Sequence, residues 1–176
     1  MADYGEPISY LIAEELEQLK QRIIMNMQTA GQVASGKTIA SLYVERRANG
    51  GSLVFRGKMP FGVMETGRKG GKVPYGFSSI IYLWMQQKGV HGQPMPYKRK
   101  GLHKYSEQER ADRSMASAIA HTIARSGTKL YRDGGRKDIY SNEIPTTIAS
   151  IRERLLPLMR EQIRNIKLNT TGEVIK

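Results

Sequence analysis

The residues that most resemble a chemical motif are Gly31-Gln32-Val33-Ala34-Ser35-Gly36-Lys37-Thr38, which fit the spacing G-x-x-x-x-G-K-[ST]. In a phosphate loop, backbone N–H groups wrap the phosphates, the lysine neutralises them and the hydroxyl holds Mg²⁺. That chemistry needs a buried strand before the loop and a helix after it. Here residues 23–30 read as the end of an amphipathic helix, and residues 38–46 (Thr-Ile-Ala-Ser-Leu-Tyr-Val-Glu-Arg) read as a strand. No later apolar run ends in an aspartate that would hold the metal, and the βαβ alternation of a nucleotide-binding sheet is missing. These glycines read as a helix-to-strand connector, with a P-loop nucleotide-binding enzyme as the lesser alternative.

The remaining chemical inventory is thin. His91, His103 and His121 are the only histidines, and none is spaced from another as a metal pair on a helix. There are no cysteines, so thiolate metal sites, cysteine catalysis and disulfides are excluded. Glu65 stands beside Arg68, Lys69 and Lys72, but no partner acid, nucleophile or metal set accompanies it. A structural ion pair or helix-end contact is the expected role. The sequence therefore predicts no catalytic residue, no cofactor site and no metal site.

Basic loops with interleaved aromatics are what remain. The formal net charge is +12. Counted along the chain, residues 1–57 are neutral, residues 58–140 carry +10 and residues 141–176 carry +2. The excess sits where glycine-rich loops are dense, which points to a polyanion or an acidic protein partner. Arg68, Lys69 and Lys72 lie near Tyr75 and Phe77. Lys98, Arg99, Lys100 and Lys104 lie near Tyr97 and Tyr105. Arg132, Arg136 and Lys137 lie near Tyr131 and Tyr140. Arg68, Lys69, Lys72, Lys98, Arg99 and Lys100 are the expected polyanion or partner contacts. No zinc finger, RNP motif or GXXG clamp accompanies them, so sequence-specific reading of nucleic acid is not expected.

The elements that would carry these loops follow from periodicity. Ile8, Ile12, Leu16, Leu19, Ile23 and Met27 form one stripe on a helix over 7–28, with Glu14, Glu15 and Glu17 expected on the other side. Strand formers at 38–46 and 52–56 flank Asn49-Gly50-Gly51, a hairpin signal. A short turn near 61–67 and a loop lead to a helix over 78–88, with Ile80, Ile81 and Trp84 as its buried side and Gly89 as its stop. Residues 90–105 read as a long loop. Ser106 and Glu109 make a capping box for a helix that ends at Gly127 and bears Ala111, Met115, Ala118, Ile119, Thr122 and Ile123 on one face. Residues 128–140 read as a second hairpin around Asp133-Gly134-Gly135. A last helix carries Ile144, Ile148, Ile151, Leu155, Leu158, Gln162 and Ile166, with Pro157 expected to kink it.

The order predicts one α+β domain over 1–167: a small antiparallel sheet from hairpins near 38–57 and 128–141, flanked by helices. A flexible tail is expected over 168–176. No apolar run approaches the roughly 18 residues a membrane span needs, and the acidic N-terminus does not read as a signal peptide.

An ordered series of segments resembles the neck or tail-completion proteins of tailed bacteriophages. The series is a long first helix, then Ala34-Ser35-Gly36-Lys37-Thr38 leading into Ser41-Leu42-Tyr43-Val44, then Met64-Glu65-Thr66-Gly67-Arg68 with its glycine-rich loop. The helix Ile80-Ile81-Tyr82-Leu83-Trp84-Met85-Gln86-Gln87-Lys88-Gly89-Val90 follows, then the helix end Ile119-Ala120-His121-Thr122-Ile123-Ala124-Arg125-Ser126-Gly127-Thr128, then a last long helix. The resemblance spans about residues 8–167. It implies a non-enzymatic virion protein, assembled in the host cytoplasm into a ring of identical subunits. Such a ring joins portal and adaptor to tail proteins around the DNA channel, with nonspecific contact to genomic DNA and none to membrane. A nonspecific DNA-binding protein outside virions is the alternative from the charge pattern alone.

Overall fold

The computed structural model describes residues 5–46, 53–57, 59–94, 96–98 and 101–164. The elements are α1 (Gly5–Thr29), α2 (Lys37–Ala40), β1 (Tyr43–Arg46), β2 (Leu53–Arg56), α3 (Val63–Thr66), α4 (Phe77–Lys88), α5 (Glu107–Ser126), α6 (Lys129–Arg132) and α7 (Glu143–Arg164), with a 3₁₀ turn at Met59–Gly62. The α+β expectation is overturned, because the chain is mostly helical. The strands found among the described residues form one antiparallel ribbon, Tyr43 opposite Arg56 and Arg46 opposite Leu53. Four residues per strand make no sheet layer for helices to flank.

The second expected hairpin is helical instead. Thr128 is an N-cap whose hydroxyl accepts the Tyr131 N–H, and α6 follows at once. Asp133-Gly134-Gly135 does turn the chain, with φ of +87° and +82° at the two glycines, but it ends a helical turn and joins no strands. The run Thr-Lys-Leu-Tyr-Arg alternates like a strand, yet an N-capping threonine outweighs alternation in so short a segment. Thr38, expected to open the first strand, lies in the helical turn α2, so pairing begins at Tyr43. The expected turn at 49–51 and the tail at 168–176 lie outside the described residues.

The chain divides into two compact units. Unit 1 comprises residues 1–31, 37–61 and 137–176, and unit 2 comprises residues 32–36 and 62–136. In unit 1, α1 packs on α7 and on the ribbon. Its buried apolar residues include Leu11, Leu19, Ile23, Met27, Leu42 and Ile139. Glu15 was expected to face outward but is 2% exposed. It lies midway between Leu11 and Leu19 in one i, i+4 row, so the helix must carry it inward. Arg154 of α7 meets it there with Nη1 2.6 Å from Glu15 Oε1, while Nη2 reaches Glu14 Oε2 at 2.6 Å. The Arg154 hydrogen bond holds the Glu15 carboxyl below the usual carboxylate range despite burial. Higher on the same pair of helices, Arg22 donates to Glu143 and Thr147, and Asn26 donates to the Ile139 carbonyl and to Glu143.

In unit 2, α4 packs on α5 around Ile81, Met85, Ala116 and Ala120. Ser106 caps α5 as the sequence predicts, accepting the Glu109 N–H at 3.1 Å. Helix α4 is closed at both ends by left-handed glycines, Gly76 before it and Gly89 after it. Its buried row is Ile81 and Met85, whereas Ile80 and Trp84, expected inside, are 50% and 41% exposed.

Candidate functional site: a basic-rimmed apolar groove

Two segments of unit 2 close on each other through their backbones. The Thr128 N–H donates to the Arg68 carbonyl at 2.9 Å, and the Arg68 N–H donates to Thr128 Oγ1 at 2.9 Å. The Gly71 N–H reaches the Ala124 carbonyl at 2.7 Å, and the Arg136 N–H reaches the Glu65 carbonyl at 2.8 Å. Glycine permits the closeness. A Cβ on Gly127 would stand 2.6 Å from the Arg68 oxygen, and one on Gly70 would stand 2.7 Å from the Arg125 oxygen. Glu65 is buried here, on α3. The junction therefore fixes the loop at 67–72 and helix α6 against the end of α5.

Beside this junction lies a groove of about 750 Å³. Helix α4 contributes Phe77, Ile81 and Trp84 to its walls, α5 contributes Ile119 and Ile123, and α6 contributes Leu130. Arg68, Lys129 and Arg132 are its charged lining residues, and no carboxylate is among the lining residues. Arg68 donates to the Lys72 carbonyl at 2.8 Å and holds its guanidinium 5.1 Å from the Phe77 ring centre. Arg132 donates to the Gly127 carbonyl at 2.8 Å. Size and composition suit a binding site: apolar walls with a few charged groups at the edge.

The sequence-predicted contact residues separate in the structure. Arg68 lines the groove and is half-buried, while Lys69 and Lys72 are exposed on the same loop. Lys98 is exposed on the loop between α4 and α5. Arg99 and Lys100 lie outside the described residues. Sequence reasoning missed Lys129 and Arg132 as groove residues. Its expected α5 face was informative in another way, because Ala118, Ile119, Thr122 and Ile123 all line the groove.

The loop after α4 is tied down by a buried carboxylate. Asp112 is 3% exposed and accepts from the Gly92 N–H at 2.7 Å, Gln108 at 2.9 Å and Gln86 at 3.2 Å, with His91 Nδ1 at 3.1 Å. The His91 hydrogen bond, then those of Gly92 and Gln108, outweigh burial and lower its pKa to about 2. Further along, Tyr97 stacks on His103, and Arg110 and Arg113 lie over Tyr97 and Tyr105. An Asp–His pair invites a catalytic reading. His91 and Gly92 of the loop and Gln108 of α5 meet at Asp112, and Gln86 reaches it from α4, so the carboxylate holds the loop on α5. Among the described residues no group of three or more His, Cys, Asp or Glu is placed to hold a metal.

Residues 31–38 lack the phosphate-loop setting. They follow the 25-residue helix α1 and lead into a four-residue helix, with no strand before them among the described residues. Gln32 donates to the Met64 carbonyl at 2.8 Å. The comparisons with family models, curated proteins and solved structures each found no match. No described helix is long and apolar enough to cross a membrane.

Proposed function

We propose that this protein is a non-enzymatic structural subunit that assembles into a ring. On the resemblance given above, that ring is the neck of a tailed-phage virion, where it joins portal and adaptor to tail proteins around the DNA channel. One observation carries the reading: the outward row of α7. Ile144, Ile148, Leu156, Met159 and Ile163 are exposed large apolar residues on a single helix. They fall within about a third of its circumference at 100° per residue. The opposite side of α7 is committed to α1 through Thr147 and Arg154. An apolar row of this length on an isolated chain marks a surface that another protein covers, and closed symmetry is the usual outcome for identical subunits. Lys69, Lys72 and Lys98 are exposed and would meet DNA phosphate or an acidic neighbour in such an assembly.

The test is twofold. Light scattering on the purified chain should give a mass that is a fixed multiple of the subunit's 19.8 kDa. Mass spectrometry of virions from the same source should find the chain at a fixed copy number. A monomer at high concentration that is also absent from particles would end the ring reading. If that monomer bound duplex DNA with a steep salt slope, the nonspecific DNA-binding alternative would take its place.

A further inference from the structure

We infer that the α4–α5–α6 groove is a docking site for an acidic amphipathic helix of another protein. The groove runs beside two packed helices, where a third helix completes a bundle by laying its apolar side chains between theirs. Its walls are set by elements locked through backbone hydrogen bonds, so the site is formed before any partner arrives. The apolar surface also continues past the groove. Ile80 stands one turn before Trp84 on α4, Leu83 follows it at i+3, and they are 50% and 60% exposed. That extent suits a helix face with several anchors more than a single small molecule.

The rim sets the sign of the partner's charge. Arg68, Lys129 and Arg132 all border the groove, and none of them takes part in the ion pairs found among the described residues. Each arginine spends one N–H on a neighbouring carbonyl and keeps donors for a carboxylate. A cationic or neutral helix would leave three positive groups beside its apolar contact without compensation, so the rim discriminates as well as attracts. This inference does not rest on the ring reading, and either can fail while the other stands.

Trp84 is the chain's only tryptophan and lines the groove, so its emission reports occupancy directly. The probe is an 18-residue capped peptide with leucine at i, i+3, i+4 and i+7 and glutamate between. It is compared with the same peptide carrying lysine for glutamate, and with sodium dodecanoate as a small amphipathic anion. The intact chain should show a saturable blue shift with the acidic peptide and at least tenfold weaker binding of the lysine peptide. Lys129→Glu should lower affinity for the acidic peptide about tenfold and raise it for the lysine peptide, and Lys129→Gln should fall between. Lys129 is exposed on α6, so circular dichroism should be unchanged in both variants. The inference is overturned if the acidic peptide leaves Trp84 unmoved, if both peptides bind alike, or if dodecanoate saturates the shift at concentrations where the peptide does not.

Discussion

A methyl group on Gly127 would press against the Arg68 carbonyl at 2.6 Å, and the backbone there has φ of +80°. Gly127→Ala therefore meets a steric and a conformational penalty together, and should cost at least about 2 kcal/mol in chemical denaturation. Gly134→Ala, with positive φ but open space around it, should cost about 1 kcal/mol. Asp112 makes a second prediction at this scale. Its folded pKa, about 2, lies below the ordinary 3.8, so its contribution is present above pH 3.8 and is lost as pH falls toward 2. Asp112→Asn should lower the melting temperature at pH 7 and flatten its decline between those two values. Some of this was legible in the sequence. Ser106 and Glu109 announce their cap by spacing alone, because capping is a local interaction. Glu15 was misread because its burial depends on Arg154, 139 residues away, and Asp112 was passed over because His91 and Gly92 reach it from a loop 21 and 20 residues before it.

Among the elements, α7 carries the sharpest expectation. Ile148→Glu with Met159→Glu places two charges in the outward row and leaves the α1-facing row intact. The double variant should stay folded by circular dichroism while its mass in light scattering falls to that of one subunit. Pro157 lies inside α7, where it removes the N–H that would reach the Glu153 carbonyl. Pro157→Ala should raise stability by about 1–3 kcal/mol in denaturant titrations. The stripe of α1 was readable at Leu19, Ile23 and Met27 because burial on one side leaves a period in the sequence, whereas Ile144 and Ile148, which open the stripe read for α7, lie on its exposed outward row. Helix α4 resisted reading because Ile80-Ile81-Tyr82-Leu83-Trp84-Met85 is apolar all round, so periodicity could not separate the packed side from the groove side. The residues at 128–132 failed for a related reason: a five-residue alternation is too short to outweigh a capping threonine.

On the scale of the whole chain, the basic excess was plain from composition, while the groove was not. Its cations, Arg68, Lys129 and Arg132, come from segments 60 residues apart that only the backbone junction brings together. Substituting Lys69 and Lys72 by glutamate should flatten the salt dependence of any duplex-DNA binding by roughly 1 per lysine and leave the melting temperature unchanged. The same junction has a kinetic meaning. Unit 2 is almost wholly one insertion, residues 62–136, between parts of unit 1. Helix α1 must find α7 across 121 residues from Arg22 to Glu143. The hydrogen bond from Arg136 to Glu65 ties the two ends of the insertion. Once the insertion has folded, the loop that α1 must close shrinks from about 120 residues to about 50, a saving of roughly 1 kcal/mol in chain entropy. The insertion's own contacts are nearer in sequence, so it should fold first, and a fragment of residues 62–136 should melt cooperatively by itself. A nascent chain would then complete its middle before its beginning, and α1 would wait for α7 with its apolar row uncovered.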